Sequence, residues 1–155
     1  MTEEDINIFT RRIAGANRSE LVVILYDILL QRLDDAGKSQ DDEEYIKAVR
    51  GASETVRHLK NDLDFKYAIS RDLYRIYTYA EREIAKLTYR KSDDVINNIR
   101  AIMTVLRDAF LEIASNDDSG QLMKNAGSVT AGITYGRRCL NETDTDSDTN
   151  RGYLV

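Results

Sequence analysis

Proline is absent from this 155-residue chain, where average usage would supply about eight. Glycine is scarce too: five of the eight glycines fall after residue 114. Sandwiches and barrels build their many tight turns from these two residues, so an all-β fold is not expected, and collagen-like and proline-rich linker classes are excluded. A single cysteine, Cys139, excludes an internal disulfide framework and fits a reducing compartment. The single histidine, His58, rules out the two Glu-x-x-His motifs of a di-iron bundle and any ordinary zinc site. A basic excess is missing as well: 22 Lys and Arg stand against 27 Asp and Glu, so nucleic acid is not expected as a partner. The longest apolar run, Leu21 to Tyr26, is far below the ~20 residues that span a bilayer, and no membrane insertion is expected. Glu3, Glu4 and Asp5 occupy the N-terminal stretch with no apolar h-region behind them, so no cleavable signal is expected and the protein is placed in the cytoplasm.

What is present is helical periodicity up to residue 114. Asn17 followed by Glu20 is a capping-box pattern, and it opens a helix over about 18–37. The apolar residues there (Leu21 to Leu25, Ile28 to Leu30, Leu33) wrap more than one stripe, which places this helix centrally. A second helix starts at Asp41 or Asp42 and runs to Leu63, with Tyr45, Ala48, Val49, Ala52, Val56 and Leu59 at i, i+3, i+4, i+7 spacing. Gly51 interrupts it, at a cost of about 1 kcal/mol relative to Ala. The third helix is predicted over 66–89 along Ile69, Leu73, Ile76, Ala80, Ile84 and Leu87. Ser92 caps the fourth, whose face runs from Val95 to Ile113. Short connections make neighbours antiparallel. The expected fold is all-α: an up-down-up-down four-helix bundle over 17–114, with a short N-terminal arm over 1–16 and a partly disordered extension over 115–155.

No catalytic set assembles. There is no phosphate-binding glycine loop, and Asp34-Asp35, Asp41-Asp42 and Asp93-Asp94 sit at helix ends, where solvation and the helix dipole explain them. His58 suggests an alternative, a phosphotransfer bundle, but Lys60 and Asn61 do not continue that pattern. The reading is a non-enzyme without cofactors.

Three blocks carry a resemblance. Ile13 to Asp27, IAGANRSELVVILYD, is followed by Leu73-Tyr74-Arg75-Ile76-Tyr77-Thr78-Tyr79 and by Leu106-Arg107-Asp108-Ala109-Phe110. In order and spacing they resemble the signatures of the FliS family of flagellar secretion chaperones: an aliphatic residue, a capping residue, E-L and L-Y-D; then L-Y-x-L-Y-x-Y; then L-R-x-x-W/F. The chain departs from that pattern where Arg18 replaces the proline at the first helical position and where Ile28 follows L-Y-D in place of glycine. The resemblance implies a chaperone that binds the disordered C-terminal region of flagellin, prevents early polymerisation and delivers it to the export apparatus, with other flagellar regulators as further partners. Partner contacts are expected at Ile8, Phe9 and Ile13 of the arm and at Tyr26, Leu73, Tyr74, Tyr77, Leu106 and Phe110. The protein is expected as a monomer or weak homodimer, and self-association through the tyrosine-rich third helix is a rival reading. Beyond residue 114, an acidic run over 141–150 follows scattered apolar residues (Leu122, Met123, Val129, Ile133, Tyr135, Leu140). That apolar piece is expected to cover the client groove when no client is bound.

Overall fold

Helix starts are set by side chains that answer free backbone N–H groups. In the computed structural model, which describes residues 1–123, there are five helices: α1 (Glu3–Gly15), α2 (Arg18–Lys38), α3 (Asp42–Asn61), α4 (Ile69–Leu87) and α5 (Asp93–Ser115). No strand occurs among the described residues. The Asn17 side chain accepts from the Glu20 N–H at 2.8 Å, and the Glu20 carboxylate accepts from the Asn17 N–H at 2.9 Å, so the capping box at α2 is formed. Asp41 caps α3 through the Glu44 N–H, and Ser92 caps α5 through that of Val95. α4 starts without a side-chain cap. The chain turns first through 64–70, where the Asp64 carbonyl accepts from the Tyr67 N–H and the Ser70 hydroxyl. That turn delays α4 to Ile69, three residues later than the predicted start.

Residues 3–15, expected as an arm, form a helix. Thr2 and Asp5 make a second capping box, and the Asp5 carboxyl is lowered by its hydrogen bonds to Thr2. The Met1 amino group pairs with Asp35 near the end of α2, while Arg12 reaches Asp27 at 2.6 Å nearer its start. α1 therefore lies back along α2 in the opposite direction.

Helices α2 to α5 share one core. Tyr26, Leu29 and Leu33 of α2 meet Ala52, Val56 and Leu59 of α3, Leu73, Tyr77 and Ile84 of α4, and Ile96, Ile99 and Met103 of α5. α2 packs on α1, α3 and α5, which is why its apolar residues occupy more than one stripe. Gly51 has a specific reason: the Arg32 guanidinium lies where its Cβ would stand, so a side chain at 51 would displace the arginine. Among adjacent helices of the core, α4 and α5 make the sparsest contact.

Candidate partner-binding surface

α5 is apolar on more sides than its core contacts require. One face buries Ile96, Ile99 and Met103. Next to it Ile102, Leu106 and Phe110, spaced by four, are half-buried. Beyond those, Ala101, Val105, Ala109 and Ile113, again spaced by four, are exposed, with Val105 at 69% and Ile113 at 55%. Two adjacent i+4 ridges on one helix form the surface that accepts the ridge of another helix. Residues 101–106 carry no charged side chain, so covering this stretch desolvates no ion. Leu111, 44% exposed, extends the apolar area near the C-terminal end of α5.

The cations around this surface are tied down. Asp27 accepts from Arg107 Nε at 2.9 Å and from Arg12 at 2.6 Å, linking α1, α2 and α5. Arg107 also reaches Asp108 at 3.1 Å, and these bonds raise its already high pKa. Arg100 pairs with Asp34 of α2. The cations of α5 thus point to partners within the protein and leave the apolar ridges uninterrupted.

The residues expected at the partner surface divide into three groups. Tyr26, Leu73 and Tyr77 are buried in the core. The Tyr26 and Tyr77 hydroxyls are hydrogen-bonded to each other, and the Tyr26 ring lies 5.6 Å from that of Phe110. Burial raises the pKa of both phenols, so both stay neutral. Leu106 and Phe110 reach the surface in part and belong to the α5 ridges. Tyr74 is exposed at the opposite end of its helix turn from the core, packed edge-on against Phe65 at 5.8 Å with Lys60 Nζ 5.9 Å from its ring centre. On α1, Ile8 is exposed, whereas Phe9 and Ile13 are half-buried, with the Arg12 guanidinium 5.6 Å from the Phe9 ring. As surface contacts, sequence reasoning passed over Val105 and Leu111, and over the exposed apolar group Phe65, Tyr67 and Ile69 at the start of α4. The signal for Val105 was present: it lies one residue beside the 102–106–110 stripe, with alanines four residues before and after it.

Among the described residues no group of His, Cys, Asp and Glu could hold a metal ion, and no described helix is long and apolar enough to cross a membrane. His58 is exposed on α3, and neighbouring Lys60 is committed to Glu81. Cys139 and the apolar residues Val129, Ile133, Tyr135 and Leu140 lie outside the described residues, while Leu122 and Met123 are exposed at its edge.

Comparison with curated proteins returns no match. The sequence profile of the family described as "Flagellar protein FliS" matches residues 8–117. That span runs from α1 through α5 and includes all three blocks noted in the sequence. The family is one of chaperones in flagellar assembly and is not known for enzymes. With well over half its length matched, the chain belongs to the FliS family.

Proposed function

We propose that this chain is a cytoplasmic export chaperone that holds the C-terminal segment of flagellin against the outward ridges of α5. The observation that carries this reading is the uncharged exposed ridge Ala101, Val105, Ala109 and Ile113 beside half-buried Ile102, Leu106 and Phe110. A soluble helix rarely exposes such a stripe without a use for it. A disordered amphipathic segment would fold onto it by helix-in-groove recognition, with anchors at i, i+4 and i+7. Ordering such a segment costs about 2–5 kcal/mol, so the contact must be long, and the ridge runs three turns of α5. Covering that segment would also keep flagellin subunits from polymerising before export.

The short connections between helices and the contacts of α2 with α3 and α5 support an up-down-up-down order for α2 to α5. Ile8, Phe9 and Ile13 on α1 and Tyr74 on α4 are proposed as secondary partner contacts at the margins of the site. The complex then presents flagellin to the export apparatus, and the chaperone works as a monomer or weak homodimer, with other flagellar regulators as additional partners. Co-purification of flagellin with the tagged chain tests the reading. Flagellin should be recovered in near-equal amount and lost when its C-terminal segment is removed. Equal recovery of the truncated flagellin would exclude this mode of binding.

A further inference from the structure

The chain does not leave the helices freely after α5. Asp117 is anchored to the start of α2: its carbonyl accepts from Asn17 Nδ2 at 3.1 Å, and its carboxylate accepts from the Ser19 hydroxyl. The Ser19 hydrogen bond, with help from Ser119, lowers the Asp117 carboxyl. Five residues later the Leu122 N–H donates to the Ala16 carbonyl at 3.1 Å, and the Gln121 amide lies beside Gly15. These ties bring residues 117–122 back across the α1–α2 junction.

They end at the rim of a groove. The groove, about 360 Å³, lies between the end of α1, the start of α2 and the end of α5. Gly15 and Ala16, met by Gln121 and Leu122 of the returning chain, line it. Its floor includes Val23, Ile24, Leu111 and Ala114, and its rim carries Arg11, Arg12 and Glu20, the last already accepting from the Asn17 N–H. Arg12 is engaged with Asp27, whereas Arg11 is exposed and has no ion pair within the described residues.

The 32 residues that follow Met123 match this groove in chemistry and in order. An apolar stretch comes first, with Val129, Ile133 and Tyr135, and then a run with Glu142, Asp144, Asp146 and Asp148. Val129 is six residues from the rim, a reach of up to about 20 Å, so the linker spans the groove without strain. Tethering at this distance gives an effective concentration on the order of millimolar, so even a weak contact is populated.

We propose that the groove between α1, α2 and α5 is the docking site of the chain's own segment 129–148. The apolar stretch covers the floor, and the acidic run lies against Arg11 and the arginine rim. This surface adjoins the outward α5 ridge at Leu111 but includes none of Ala101, Val105, Ala109 and Ile113, and the proposal stands whether or not flagellin is the client.

Cys139, the chain's only cysteine, sits between the two stretches and gives a direct test on the full chain. A nitroxide label at Cys139 should reduce the amide signals of Gly15, Ala16, Leu111 and Ala114 by at least about twofold relative to the reduced label, because tethering keeps the segment near the groove. Amides of the α3–α4 connection should be unaffected. The double variant Arg11→Glu, Leu111→Asp should restore the groove signals while keeping its circular dichroism. Uniform weak broadening, broadening on another face, or groove broadening that survives the double variant would each overturn the proposal.

Discussion

The inward and outward faces of α5 are built from the same residue types and differ in what covers them. Ile96, Ile99 and Met103 face in and are buried, while Val105 and Ile113 face out and remain largely exposed. Hydrophobicity alone does not separate the two faces. Neighbours do: the inward face meets α2 and is completed by residues of α3 and α4, whereas nothing in the chain's described residues covers the outward ridge. The inward face therefore governs stability, and the outward face is the one proposed for partner binding.

The sharpest way to break this comparison is to truncate the inward face. Ile99→Ala should cost about 2–5 kcal/mol in urea unfolding, the range for a buried large-to-small change. A cost near zero would mean that the core is not where the helices are held. Next in size is the tyrosine pair. Tyr26→Phe leaves the buried Tyr77 hydroxyl without its partner and should cost about 1–3 kcal/mol, while the double variant with Tyr77→Phe should recover part of that loss. Tyrosines in the unfolded chain ionise near pH 10, and the buried pair stays protonated above it. Unfolding then releases protons, so stability falls as pH rises beyond about 10. The double variant should show a shallower alkaline decline than the parent chain.

A smaller effect is expected at Glu81. Its hydrogen bond with Lys60, aided by Arg57, lowers its carboxyl below the ordinary value of 4.5. The contribution is therefore present above about pH 4.5 and lost as pH falls through the lowered pKa. Because the pair is partly exposed, Lys60→Met should remove less than about 1 kcal/mol at neutral pH and flatten the acid limb of the stability curve. The smallest stability change belongs to the outward face: Val105→Asp should stay within about 0.5 kcal/mol in the same urea titration.

Much of the fold was legible because its signals are local. Asn17 and Glu20, Asp41 and Ser92 mark helix starts through chemistry contained within four residues, and the i, i+3, i+4 spacing of α3 names its core. α1 escaped although Thr2 and Asp5 form the same kind of cap, because Ile8 falls off the stripe of Ile6, Phe9 and Ile13. The start of α4 was read early since the turn at 64–70 is held by bonds to Asp64 from Lys66, Tyr67 and Ser70, and no side chain caps the helix itself. The candidate site was less legible for a different reason. Periodicity marks apolar positions but cannot say which have neighbours, so Tyr26, Leu73 and Tyr77 carried the family resemblance yet lie inside, while Val105 carried no motif and lies outside. Gly51 likewise had no explanation until Arg32 was seen to fill the space beside it.

The central claim is that the outward ridge of α5 receives flagellin's C-terminal segment. Calorimetric titration of that peptide into the parent chain and into Val105→Asp tests it most directly. The account predicts binding weakened at least about tenfold, a loss of about 1.4 kcal/mol, with an unchanged urea midpoint. Equal affinity for the two proteins would contradict it.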